Sequence, residues 1–89
     1  MIWTEDSSCG GLFPGEIAQT GPWTLSLWRS WRGWGWHVSA PRRYPADGME
    51  STRASARAAA AAAVLVRAAE GDLSAHERAA LTVTAQQPD

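Results

Sequence analysis

Four of the six tryptophans fall inside ten residues, in the run Trp-Arg-Ser-Trp-Arg-Gly-Trp-Gly-Trp-His from Trp28 to His37. Indole is a large apolar ring with one N–H that needs a partner when buried. A fold built on this run must either cover the rings or leave some of them in solvent. Exposed tryptophan is among the residue types that dominate binding hot spots. The chain is 89 residues long, one domain near the lower size at which a single core suffices. Its longest apolar run, Ala58–Val66, is mostly alanine and offers little area against which to pack indole. The expectation is that part of the indole stays available to another macromolecule.

The pattern on either side of the run predicts a β-hairpin over residues 23–40. Trp23, Leu25 and Leu27 alternate with Thr24 and Ser26, and Trp34, Trp36 and Val38 alternate with Gly35, His37 and Ser39. Arg32-Gly33 reads as the turn, since glycine accepts the positive φ of a tight hairpin. That turn places Trp31 opposite Trp34, Arg29 opposite Trp36, Leu27 opposite Val38 and Leu25 opposite Ala40. Leu25, Leu27, Trp36 and Val38 then share the inner face, and Trp28 falls on the polar face opposite His37. The glycines and prolines of residues 1–22 predict an irregular N-terminal segment with at most a short strand at Ile2–Thr4 or Glu16–Gln19. Residues 41–48, with Pro41, Pro45 and Asp47-Gly48, read as a loop.

A long helix is predicted over 50–70, capped at Ser51 or Thr52 and ended by Gly71. Its inner stripe is read as Ala54, Ala58, Ala61, Ala62, Leu65, Ala68 and Ala69, with Arg53, Arg57, Val64 and Arg67 outward. Ser74 and Glu77 form a capping box that starts a short helix over 74–85, with Leu81 inward. The expected fold class is α+β. It consists of a small antiparallel sheet of two or three strands packed on one long helix, with a short C-terminal helix, all in a single domain spanning 1–89.

Charge and composition exclude several functions. Glu5, Asp6 and Glu16 make residues 1–28 acidic, six arginines against Asp47 and Glu50 make 29–57 basic, and residues 58–89 are acidic again. The formal net charge is −1, unlike an acidic nucleic-acid mimic and unlike a dedicated nucleic-acid binder. All eight basic residues are arginine, as a GC-rich coding sequence would favour. Cys9 is the single cysteine, so no internal disulfide is possible and a bacterial cytoplasm fits. No leader pattern is visible, and Ala58–Val66 is far shorter than the ~20 residues that cross a bilayer. No membrane partner is expected. Cys9, His37 and His76 lie on separate elements with no zinc-ligand spacing, so no metal and no cofactor are expected. No nucleophile elbow, paired carboxylates or phosphate loop is present, and the chain is read as not an enzyme.

The candidate partner-binding residues are Trp28, Arg29, Trp31, Arg32, His37, Arg42, Arg43 and Tyr44. Aromatic and arginine side chains together make up interface cores. The same composition would let bases stack on rings and arginines reach phosphates, so the alternative is a nucleic-acid-binding regulatory protein.

The block Trp34-Gly-Trp-His-Val-Ser-Ala, a loop, and then Ser51-Thr-Arg-Ala-Ser-Ala-Arg-Ala-Ala-Ala resembles the strand–turn–helix units of small phage and prophage proteins from GC-rich bacteria. Several such proteins are anti-CRISPR inhibitors. The resemblance implies a non-enzymatic protein that blocks a host effector complex, such as a Cas protein, by direct contact. The Trp/Arg surface would be its anchor, and a monomer or homodimer is expected.

Overall fold

The computed structural model describes residues 1–6 and 15–87. Residues 7–14 of the expected irregular N-terminal segment, Cys9 among them, lie outside the described residues. Five strands follow one another: β1 (Thr4–Asp6), β2 (Gly15–Thr20), β3 (Trp23–Ser30), β4 (Gly33–Ser39) and β5 (Ala46–Glu50). Two helices complete the chain, α1 (Arg53–Arg67) and α2 (Ala75–Ala85). The strands pair antiparallel in sequence order, giving the meander β1-β2-β3-β4-β5 with β1 and β5 at its edges.

The architecture is α+β, but the sheet has five strands where two or three were expected, and α1 is a helix of 15 residues. β2, which contains the short strand expected at Glu16–Gln19, and β5, which begins inside the expected loop 41–48, both lack apolar alternation for physical reasons. In β2 only Ala18 is a buried hydrophobic, and the inward Glu16 is held by arginines of α1. In β5 the inward positions are Ala46, Gly48 and Glu50, opposite Val38, Trp36 and Trp34. Gly48 does not turn the chain. A Cβ there would stand 2.8 Å from Nε1 and Cζ2 of Trp36, so the indole of β4 fills the space that a β5 side chain would occupy.

The hairpin is correct in its faces and wrong in its turn. Trp31 and Arg32 form the turn, and the register is Ser30↔Gly33, Arg29↔Trp34, Trp28↔Gly35, Leu27↔Trp36, Ser26↔His37 and Leu25↔Val38. This is a shift of two residues, which preserves the side of the sheet on which each residue lies. Gly33 still carries the positive φ, at 131°, from the first position after the turn. A Cβ there would also run into the Glu50 carbonyl.

Trp23, Leu25, Leu27, Val38, Val64 and Leu81 are fully buried between sheet and helices, with Trp36 nearly so. α1 lies against β3, β4 and β5, and α2 packs beside it. Its buried residues are Ala56, Ala60, Ala61, Ala63 and Val64, so the inner stripe is rotated from the predicted one and Ala62 faces out. Alanine on nearly every side left the sequence little difference in side-chain bulk from which to place the inner stripe. The expected outward pair Arg53 and Arg57 instead reach back over the sheet to Glu16. Thr52 caps the helix by accepting the Ser55 N–H at 3.1 Å. The helix stops at Arg67, short of the expected position 70, because Asp72 takes the Ala69 N–H at 2.9 Å and Ala68 is already extended. The capping box of Ser74 and Glu77 is present, and Leu81 is the buried residue of α2. No described helix is long and apolar enough to cross a membrane.

Candidate functional site

Both helices lie on one side of the sheet, and no described helix or strand covers the other. The register arranges that open side in rows across the strands. One row runs Thr4, Ile17, Ser26, His37 and Asp47 from β1 to β5. In the next, Trp28 is opposite Gly35 and Gly35 is opposite Met49. Thr24 and Ser39 form a third. Hydroxyls and glycines keep this surface low, and Trp28 is its one aromatic ring among the described residues.

Trp28 takes its pose from Gly35. A Cβ built on Gly35 would stand 2.6 Å from Nε1 of Trp28, and closer still to Cε2 and Cζ2. Three ring atoms at nearly equal range mean that the indole lies flat over the glycine, one π-face on the backbone and the other away from the sheet. No strand position on this side is an arginine. Arg29, Arg53 and Arg57 belong to the helix side, Arg32, Arg42 and Arg43 to turns, and Arg67 and Arg78 to the helices.

The eight sequence candidates therefore do not form one surface. Trp28 and His37 share the open face as half-buried neighbours, with Ser26 rather than Trp28 directly opposite His37. Trp31 and Arg32 form the β3–β4 turn, where Trp31 is 86% exposed and the Arg32 guanidinium lies 4.7 Å from the ring centroid. Arg29 is on the helix side opposite Trp34. Arg42, Arg43 and Tyr44 lie at the other end of the seven-residue β4, about 20 Å from that turn at ~3.3 Å per residue. Tyr44 is 88% exposed.

Arg43 is tied into the fold as a strut. Its Nε and Nη2 donate to the two oxygens of Asp72 at 2.9 and 2.7 Å, and Asp72 also accepts from Trp23 Nε1 at 3.3 Å and from Ala69 N. Arg43 first, and then the Ala69 amide, lower the Asp72 carboxyl from 3.8 to about 2. Nearby, Glu77 accepts the Ser74 and Gly21 amides, and those bonds lower its carboxyl too. This end of the fold is locked by carboxylates.

Ser26, His37 and Asp47 are the residue types of a nucleophilic triad and stand side by side. No hydrogen bond joins them among the described residues, and amides inside a sheet are committed to the ladder and cannot form an oxyanion hole. No group of three or more metal-ligating side chains occurs among the described residues. Sequence reasoning missed Gly35, Asp47 and Met49 as parts of the surface. The signal for the first was a glycine inside a strand between two tryptophans, which marks a close approach of another group. No family model, no curated protein and no solved structure matches this chain.

Proposed function

We propose that this protein is a small, non-enzymatic protein-binding module whose working surface is the open side of its sheet. The observation that carries the reading is Trp28 set over Gly35, on a hydroxyl-lined face that no described helix or strand covers. An indole already ordered by the backbone loses little freedom when a partner covers it. The absence of arginine from the strand positions of that face favours protein over nucleic acid, because phosphate neutralisation supplies most non-specific nucleic-acid affinity. Trp31, 86% exposed at the end of the hairpin, extends the contact. Acting by occlusion in a bacterial cytoplasm, as the resemblance to phage-encoded inhibitors implies, requires no chemistry beyond such a surface.

Site-specific photo-crosslinking tests the proposal. A benzophenone side chain at Ser26, on the open face, should give a discrete protease-sensitive adduct in host cells, and one at Ala62, on the outside of α1, should not. Trp28→Ala should weaken the Ser26 adduct. A nuclease-sensitive adduct at Ser26 would establish the nucleic-acid reading instead, and adducts from Ala62 alone would move the working surface to the helices.

A further inference from the structure

We infer that the open face is a receptor for an arginine side chain of the partner, which stacks on Trp28 and is held by Asp47. The inference rests on the protein-binding reading and specifies the chemistry of the segment that docks. The helix side of the same sheet shows the complete arrangement twice. The Arg57 guanidinium lies 5.3 Å from the Trp3 ring centroid and donates from Nε to Glu16 at 2.9 Å. The Arg53 guanidinium lies 5.8 Å from the Trp34 centroid and 3.8 Å from the same carboxylate. In both, a tryptophan (Trp34 on β4, or Trp3 just before β1) and the strand-borne carboxylate of Glu16 share a guanidinium that arrives from outside the sheet, on α1.

The open face holds the tryptophan and the carboxylate without the arginine. Trp28 lies over Gly35, and Asp47 is two residues along β5 from Met49, the partner of Gly35. The diagonal from Gly35, beneath the ring, to Asp47 on the adjacent strand is about 7–8 Å, which a guanidinium lying on the ring can span to reach the carboxylate. Asp47 is exposed, and Met49, 46% exposed, flanks the ring where the aliphatic stem would lie. With no arginine at its strand positions and the carboxylate of Asp47 exposed beside the ring, the face complements a cation. The ring selects arginine over lysine, because a planar guanidinium can stack and donate a forked pair at once.

An NMR titration of the ¹⁵N-labelled full chain at low salt, with tetra-arginine, tetra-lysine and a short single-stranded DNA as probes, tests this. Tetra-arginine should shift the Trp28 indole N–H together with the Asp47 and Met49 amides. Tetra-lysine should bind at least about fivefold more weakly. Asp47→Asn, a change at an exposed position that leaves the fold intact, should weaken tetra-arginine about fivefold to tenfold, and Trp28→Leu by as much or more. Equal response to tetra-lysine, undiminished binding in Asp47→Asn, or the same signals moved by DNA would overturn the proposal. A protein adduct from Ser26 that survives Asp47→Asn would sink the arginine receptor while leaving the protein-binding reading intact.

Discussion

The indole of Trp28 lies flat on Gly35, its directly opposite residue across β3 and β4, and one strand further on the indole of Trp36 lies in the same way on Gly48. The two pairs occupy opposite sides of the sheet. Trp36 belongs to the buried core with the alanines of α1, whereas no described helix lies over the side of the sheet that carries Trp28. Freedom to move should therefore separate the two glycines. In Gly35→Ala the new methyl lifts an indole that can tilt into solvent, at a cost of about 1 kcal/mol or less. In Gly48→Ala the ring has nowhere to go, and overpacking should cost about 1–3 kcal/mol. Urea unfolding of the two variants checks the order, and a larger loss in Gly35→Ala would mean that Trp28 is clamped.

Two buried tryptophans differ in what their N–H groups find. Trp23 Nε1 donates to Asp72 at 3.3 Å, while Trp36 Nε1 is buried without a hydrogen-bond partner among the described residues. Replacement by phenylalanine removes similar volume from each site. In Trp36→Phe the lost packing is offset by removal of an unsatisfied donor, whereas Trp23→Phe also forfeits a bond to a charged group. Trp23→Phe should be the more destabilising by about 1–2 kcal/mol in equilibrium denaturation.

The carboxylates that lock the turns fix the response to acid. Asp72 is lowered from 3.8 to about 2, so the folded state binds its proton less readily than the unfolded chain does. The stabilisation is then fully present above the unfolded value and is lost as the pH falls from about 4 toward 2. Glu77 shifts in the same direction and adds to the loss on acidification. Tm measured against pH should fall over that interval. Asp72→Asn should have a lower Tm at neutral pH and a shallower fall in acid, and an unchanged slope would show that Asp72 does not govern the transition.

What could be read from the chain follows where side-chain bulk carries information. The alternation of Trp23, Leu25 and Leu27 with hydroxyl residues placed β3 and its faces, and the Ser74/Glu77 box placed the start of α2. The faces of the hairpin survived a turn misplaced by one residue because the resulting register shift is even. β5 was missed because Ala46, Gly48 and Glu50 gain their meaning only when Trp36 lies across them. Of the candidate surface, the polar-face position of Trp28 was legible, whereas the exposure of Trp31 follows from its place in the turn, one residue from where the sequence put it. The strut role of Arg43 was not, since its partner Asp72 lies 29 residues away, beyond a helix whose exit no local pattern specified.

The rotation of α1 was illegible for a simpler reason: an alanine on one side of the helix looks like an alanine on another. Substitution can read what the pattern could not. Ala60 is fully buried and Ala62 is exposed, two residues apart in the same run. Ala60→Leu must force a branched side chain between helix and sheet and should cost about 1–3 kcal/mol or more. Ala62→Leu should stay within about 0.5 kcal/mol of the parent. The reverse order in thermal unfolding would restore the inner stripe expected from the sequence.

Arg42 departs from a local rule at the far end of the sheet from the Trp31–Arg32 turn. Ala40, Pro41, Arg42 and Arg43 form a tight turn closed by the Arg43 N–H on the Ala40 carbonyl at 3.2 Å, with Arg42 at φ 60°. Proline at the second position and a left-handed third position define a type II turn, and the third position favours glycine. A residue with a Cβ loses roughly 1 kcal/mol there, while glycine would return part of that gain through the greater freedom of the unfolded chain. Arg42→Gly should therefore raise stability by a few tenths to about 1 kcal/mol. Because Arg42 lies outside the Trp28–Asp47 surface, the variant should bind tetra-arginine as the parent does, or slightly better with one cation fewer. Loss of stability in Arg42→Gly would show that the arginine stem packs against the turn strongly enough to outweigh its backbone strain, and loss of binding would place the turn within the contact surface.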